Sequence, residues 1–394
     1  MTQPLTGTGN VFAERAQNVG MRRKSYTYDR WAESTGIPIH TGYYMEDLRT
    51  LELGWWAERK CDAALVRLVG LEGIGEVRVT EIAPGATLPP LMLGVDEVVY
   101  VLSGRGLTSV WKDGAEPRPS PYDRLRERPA ARSFEWQAHS LFLIPRNSWH
   151  TYSNTQGDHS VRLMHYNYLP IAMSAAPVPE LFFNNPVRTA DDGALPADVY
   201  AEAKVVDVGG KLVDNPYYWY GNFFPDMQAW DKLAELRFRG AGGSSVQIQF
   251  PASEMSCHMS VFPPARYKKG HRHGPGRAIV IPAGEGYSML WEEGEEKVVV
   301  PWHEGSLFTP PNRWFHQHFN VGATPARYLA LHPLAQFSGH SERVEDRARD
   351  QIEYPGEDPS VRERFEGELA KRGLKSAMPE QAYRDPDYQW DFKG

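Results

Sequence analysis

The sequence predicts an all-β chain made of two tandem copies of one domain, and three observations carry that reading. The first is an internal repeat. Residues 97–114 read E-V-V-Y-V-L-S-G-R-G-L-T-S-V-W-K-D-G, and residues 277–294 read R-A-I-V-I-P-A-G-E-G-Y-S-M-L-W-E-E-G. At an offset of 180, Gly104 meets Gly284, Gly106 meets Gly286 and Trp111 meets Trp291. The match resumes at an offset of 166, where S-L-F-L-I-P-R-N-S-W-H-T-Y-S-N (140–154) meets S-L-F-T-P-P-N-R-W-F-H-Q-H-F-N (306–320). A repeat of this length is a duplicated structural unit. The second observation is a series of short strand-like runs, among them E-V-R-V-T-E-I, E-V-V-Y-V-L, S-L-F-L-I and V-R-L-M-H-Y, broken by Gly, Pro and Asp at sandwich or barrel spacings. The third is length: 394 residues suffice for two domains with full cores.

Taken in order, residues 1–60 form an arm with a short helix expected around residues 28–33 and an aromatic patch at Tyr43, Tyr44, Trp55 and Trp56. The arm is expected to pack on a barrel or on a second subunit. Residues 61–175 hold the first copy, 176–240 a connector, 241–336 the second copy, and 337–394 a charged tail with one helix near residues 360–371. The tail reads as a solvated or subunit-embracing extension. Residues 115–133 interrupt the first copy by 14 residues relative to the second (180 minus 166), a surface loop or lid.

Bulk properties exclude several function classes. A net charge of −7, with a pI near 6.0 and no Lys/Arg-rich stripe, argues against nucleic acid. The longest apolar runs are strand-sized, which argues against a membrane span. The start M-T-Q-P-L-T-G-T-G-N lacks the features of a secretory signal. Two cysteines, Cys61 and Cys257, are too few for a disulfide framework, so a cytoplasmic protein is expected. Exposed-looking aromatics in the arm point to a homodimer.

Chemistry concentrates in the second copy. Residues 263–286 read P-P-A-R-Y-K-K-G-H-R-H-G-P-G-R-A-I-V-I-P-A-G-E-G, and residues 305–320 read G-S-L-F-T-P-P-N-R-W-F-H-Q-H-F-N. This resembles the two motifs of the cupin superfamily, and the resemblance spans both halves, so the chain looks like a bicupin. It implies two jelly-roll barrels. On a strand, residues i and i+2 share a face, so His271 and His273 can put two imidazoles into one barrel, with His316 arriving from an opposing strand. Three such ligands leave open positions on a divalent metal. The alternative is a solvated turn beside Lys268 and Lys269. One metal per chain is expected, Fe(II) foremost, with Mn, Ni or Zn as alternatives, because the first copy has Leu91 and Leu93 where the second has His271 and His273. That copy retains only Glu97 and His150 and is expected to be metal-free.

Two departures from the usual cupin pattern stand out. The position of the family's glutamate ligand, Glu97 in the first copy, is Arg277 in the second, and arginine has no lone pair to give. The site is then neutral, as in the thiol dioxygenases and gentisate-type ring-cleaving dioxygenases, although the gentisate-type bicupins carry their metal in the N-terminal barrel. Second, His318 follows His316 by two residues. It is a fourth ligand, a base beside the metal or a satisfied core histidine.

Arg277 wants an anion, either a carboxylate of the protein or one on a substrate, unless it turns out to solvent. Tyr287, Met289 and Trp291 alternate and share one face, which lines the pocket or is core; Tyr287 is a candidate acid or base and Trp291 a candidate substrate contact. Trp314 and Phe315 precede His316, and one of them is expected to wall the pocket, with Trp314 a candidate substrate contact. His258 is expected in the core or on the surface. A non-haem Fe(II) dioxygenase acting with O2 on a small anionic, aromatic-type substrate is the leading expectation. The alternatives are a non-oxidative metalloenzyme (isomerase, lyase or hydrolase) and a binding bicupin without turnover.

Overall fold

In the computed structural model, which describes residues 26–112, 131–185, 195–212, 215–251, 253–335 and 348–392, the strand runs pair into two barrels of one topology. The first barrel comprises β1 (Cys61–Leu68), β2 (Glu76–Ile82), β3 (Leu91–Met92), β4 (Glu97–Ser103), β5 (Arg105–Trp111), β6 (Arg132–Gln137), β7 (Leu141–Ile144), β8 (Trp149–Asn154) and β9 (Val161–Asn167). The second comprises β10 (Ser244–Gln249), β11 (Ser256–Phe262), β12 (Gly270–His271), β13 (Ala278–Ala283), β14 (Gly286–Trp291), β15 (Val298–Trp302), β16 (Leu307–Phe308), β17 (Phe315–Asn320) and β18 (Ala326–His332). One sheet of the first barrel runs β1-β2-β9-β4-β7 and the other β3-β8-β5-β6; the second barrel repeats this as β10-β11-β18-β13-β16 and β12-β17-β14-β15. Early and late strands interleave in each sheet, which is the double Greek key of a jelly roll. The chain is therefore an all-β protein of two tandem jelly-roll barrels.

The larger sheets of the two barrels pack against each other through their outer faces. One buried cluster joins Val77, Val79, Val98, Tyr100 and Met164 of the first barrel to Val246, Cys257, Met259, Val280 and Leu329 of the second. With both faces covered, β4 and β13 are buried along nearly their whole length, which is why they read as continuous apolar runs. The repeated glycine pair has two separate causes. Gly104 and Gly284 turn with φ of 84° and 94°, where a side chain is strained. Gly106 and Gly286 give way to the indoles of Trp136 and Trp302, which a Cβ would strike.

Segments outside the barrels are more integrated than the sequence suggests. The arm laces both barrels: Ile39–Gly42 pairs parallel with β1, and Tyr44–Met45 pairs with β16 of the second barrel. Its helix covers Thr27–Ser34. Of the aromatic patch, Tyr43 and Tyr44 pack on the second barrel and Trp56 in the first, leaving Trp55 outside at 61% exposure. Residues 176–240 supply Lys204–Leu212 and Asn215–Tyr220, which extend the second barrel's large sheet, and Phe223–Phe224, which pairs with β7. From residue 350 onward the tail packs on the second barrel rather than standing solvated. Gln351–Ile352 pairs with β12, and the helix Pro359–Ala370 buries Val361, Phe365 and Leu369 against Tyr267 and Phe319. That helix starts where Asp358 accepts a bond from the Ser360 amide and Pro359 supplies a preset first turn. Residues 115–130 of the loop or lid lie outside the described residues. Among the described residues no helix is long and apolar enough to cross a membrane.

Candidate metal centre

His271 and His316 face each other across the β12–β17 ladder, with ring centroids 4.2 Å apart. His273, just past β12, brings its ring to 4.5 Å from His316 and 5.9 Å from His271. Ligand atoms of the three all lie within 4.8 Å of one another, and all three side chains are buried. Each Nδ1 faces a backbone carbonyl: Lys269 for His271 at 3.3 Å, Gly274 for His273 at 2.7 Å and Trp314 for His316 at 3.3 Å. Holding Nδ1–H against a carbonyl leaves Nε2 as the lone-pair donor of each ring. Burial, then Arg239 and the neighbouring histidines, pushes His271 well below the ordinary histidine range, so it is neutral, as a ligand must be. This donor set fits one divalent ion with open coordination positions.

A carboxylate from the C-terminal segment braces the two loops that carry these rings. Arg272, between His271 and His273, gives its Nε to Asp350 at 3.1 Å, and its backbone amide donates to the Asp350 carbonyl at 2.9 Å. Arg313 reaches the same carboxylate with both terminal nitrogens, at 3.0 and 2.5 Å, while its amide donates to the His273 carbonyl at 2.9 Å.

Arg277 is only 6% exposed, and its Nε is buried without a hydrogen-bond partner. Burial, reinforced by Arg239, pulls it down to about 10, still charged at neutral pH; the groups that oppose the fall are the phenols of Tyr328 and Tyr166. Among the described residues no acidic side chain pairs with it, so the internal ion pair weighed from the sequence does not form there.

His318 lies deeper in the barrel, outside the group of three. Its Nδ1 bonds Ser288 Oγ at 2.8 Å, and Ser288 accepts from Trp302 Nε1 at 3.0 Å. Its ring is 5.5 Å from His316, 6.2 Å from His271 and 5.0 Å from Tyr328. Trp314 is half-buried, 5.9 Å from Tyr43, and its carbonyl holds His316. Tyr287 and Trp291 require correction. The β14–β17 register pairs Leu290 with His316 and Ser288 with His318 on the inner face, and puts Tyr287 opposite Phe319 and Trp291 opposite Phe315 on the outer one. Tyr287 stacks on Phe319 at 4.5 Å under Arg364 of the tail helix, and Trp291 stacks on Phe315 at 5.7 Å. Counting alternation along one strand gave the shared face correctly but not which side it takes.

Groups that the sequence did not place at the site complete the interior. Lys268 is 0% exposed and bonds Ser260 Oγ and Tyr328 OH, the latter at 3.2 Å. His258 Nδ1 meets His332 Nε2 at 2.6 Å across the β11–β18 pair. Alternation from His271 would turn Lys268 outward. The structure instead points both Lys269 and Gly270 outward, toward Glu353 and Trp291, and this irregularity brings Lys268 in. Arg239, on a 3-10 turn ahead of β10, has no counterpart in the repeat that could have flagged it.

In the first barrel the corresponding space is self-neutralised. Arg78 bridges Glu97 at 2.5 Å and Glu76 at 2.6 Å, and His165 Nδ1 meets Glu97 at 2.9 Å. Burial alone would raise Glu97, but Arg78 and His165 hold it well below the usual carboxylate range. Leu91 and Leu93 are buried there.

No protein-family model matches the chain, and no curated protein matches it. Among solved structures it is similar to a mutant of the Bacillus subtilis oxalate decarboxylase, at 9% identity over 87% of this chain and 85% of that one, with a TM-score of 0.47. It is also similar to the formate complex of the Lactobacillus farciminis oxalate decarboxylase, at 13% identity over 76% of this chain and 88% of that one, with a TM-score of 0.46. A further Bacillus subtilis oxalate decarboxylase structure, described for its Mn(II) centers, matches at 10% identity over 86% of each chain, with a TM-score of 0.45.

Proposed function

We propose that this protein is a metal-dependent enzyme that converts a small organic anion without net oxidation, in the lyase, isomerase or hydrolase class. His271, His273 and His316 would hold one divalent ion, which supplies Lewis-acid stabilisation of charge developing on a substrate oxygen. The observation that carries the reading is Arg277. A buried guanidinium with no carboxylate among the described residues to answer it, in the same barrel as the three-histidine group, calls for an anion from outside the chain. Arg277 would bind and orient a substrate carboxylate through its forked donors. Lys268, Tyr328 and the His258–His332 pair line the same barrel and are groups able to exchange protons. That favours proton-transfer chemistry over oxygen activation.

The Fe(II) dioxygenase reading keeps one observation in its favour: three neutral ligands leave room for a chelating substrate together with O2. Metal analysis of the purified chain, followed by thermal shift with small carboxylates in wild type and Arg277→Ala, tests the main reading. Stabilisation that needs both the metal and Arg277 is the expected result; carboxylate binding unaffected by Arg277→Ala rejects it. Substrate loss that consumes oxygen would move the assignment to the dioxygenase.

A further inference from the structure

Lys268 is an ammonium-bearing side chain in the floor of a barrel, with no acidic partner among the described residues. Its Nζ bonds Ser260 and Tyr328 and sits 4.7 Å from the Tyr328 ring centroid. Burying such a group costs several kcal/mol unless it is paired or neutralised, as an order-of-magnitude estimate. The first barrel shows that the fold does not need it. Its Leu88 amide donates to the Tyr152 carbonyl at 2.9 Å, as the Lys268 amide donates to the His318 carbonyl at 3.0 Å, so Leu88 and Lys268 hold the same ladder position. Likewise Leu163 sits opposite Thr80 where Tyr328 sits opposite Ser260. The rest of the floor is shared: Trp136 Nε1 donates to Thr108 at 2.8 Å in one barrel, and Trp302 Nε1 to Ser288 at 3.0 Å in the other. Two leucines serve the barrel without a histidine triad, and a lysine–tyrosine pair accompanies the barrel that has one.

The pair's position suits contact with substrate. Tyr328 lies one ring away from the ligands, 5.0 Å from His318, which is 5.5 Å from His316. On its other side it approaches His258 at 5.7 Å and feels the charges of Arg277 and Arg239.

Resting on the metal-dependent reading above, we propose that Tyr328 is a catalytic acid–base residue that exchanges a proton with a substrate carbon next to a carboxylate, and that Lys268 with Ser260 holds its phenolate. In the forward step the Tyr328 O–H bond breaks and a C–H bond forms on the substrate carbanion or enolate. The phenolate left behind pairs with the Lys268 ammonium and the Ser260 hydroxyl, and a proton from water restores the phenol. The reverse transfer takes a proton from carbon. Burial raises the Tyr328 phenol, but Lys268 and Ser260 outweigh it and bring it below the ordinary tyrosine value, while burial lowers Lys268; the two therefore share a proton more evenly than free side chains do. His318, His258, Arg239 and Arg277 are the other titratable or charged groups facing the pair.

The test uses the full chain loaded with Mn(II) or Fe(II), with pyruvate and malonate as probes. Ultraviolet titration of tyrosinate should show one phenol ionising below the bulk in wild type, absent in Tyr328→Phe and moved up in Lys268→Met. Proton NMR in D2O should show deuterium entering the probe's C–H positions with wild type, slowed by roughly 100-fold or more in Tyr328→Phe. A Tyr328→Phe protein that exchanges as fast as wild type overturns the proposal. So does a wild-type titration with no early phenol, or a probe held in an Arg277-dependent way that shows no exchange. If the probes do not bind through Arg277 at all, the functional reading fails instead, and the titration still decides the pair. Should Tyr328→Phe not fold, Lys268→Met carries both measurements.

Discussion

Arg277 stands in the second barrel where Glu97 stands in the first, and the residue facing each of them has changed as well. Glu97 is neutralised by Arg78 on β2; the β11 position equivalent to Arg78 is His258, which bonds His332 instead. One barrel therefore closes its charge balance internally. The other gathers Arg277, Arg239, Lys268 and a set of histidines with no carboxylate among the described residues directed at Arg277 or Lys268. The two copies keep one backbone and differ in electrostatics, one balanced internally and one with buried cations that no described carboxylate answers.

Arg277→Lys should weaken binding of small carboxylates by about tenfold or more, because a point charge loses the two-pronged geometry of a guanidinium. Bound metal should remain. Titration calorimetry with malonate on the metal-loaded protein checks this, and equal affinities in wild type and variant would sink the docking role.

One divalent ion per chain is expected, since the described residues contain one group of suitable donors, His271, His273 and His316. His271→Ala combined with His273→Ala should abolish it. Plasma emission analysis after gel filtration gives the count; a value near two, or retention in the double variant, would place a site elsewhere.

The topology and the three histidines were legible in the sequence because both depend on local periodicity: alternation, the glycine pair and the i, i+2 spacing. What escaped depended on long-range or irregular structure. Tyr287 and Trp291 share a face as expected, yet the tail that covers that face lies about sixty residues downstream, and nothing local marks it. Lys268 was hidden by the two outward residues before His271, although its alignment with Leu88 across the repeat was a readable clue. Asp350 and Arg239 sit outside the repeat and are brought in only by tertiary packing.

Stability should fall on acidification, and the first barrel should contribute measurably. Burial pulls His150 down to about 3 and also lowers His165. Both rise to roughly 6.5 on unfolding, so the stability they contribute is present above that value and is lost as pH falls below it. Glu97, depressed in the fold, adds a loss in the same direction below roughly 4.3. Histidines of the second barrel act with the same sign, so the comparison of metal-free wild type with His150→Leu isolates the first. Thermal midpoints recorded from neutral pH downward should drop less steeply in the variant; parallel curves would contradict the assignment.

Asp350 should govern metal affinity from outside the group of ligands. Its carboxylate is held below the usual range, burial being overcome by Arg313 and Arg272, so it is ionised at neutral pH and ties both guanidinium groups together. Arg272 is flanked by His271 and His273, and the Arg313 amide fixes the His273 carbonyl three residues ahead of His316. Removing the charge loosens two ligand loops at once while leaving every ligand in place. Asp350→Asn should therefore weaken the metal by about tenfold, in the range seen when supports of ligands are removed. The ion pairs themselves are partly exposed, so the thermal midpoint of the metal-free protein should change little. Asp350→Glu should restore part of the affinity, which a general loss of tail packing would not allow. Competition with a chelating dye gives the affinities. An Asp350→Asn protein that binds metal within twofold of wild type, or that loses metal and metal-free stability together, would show that the tail merely covers the barrel.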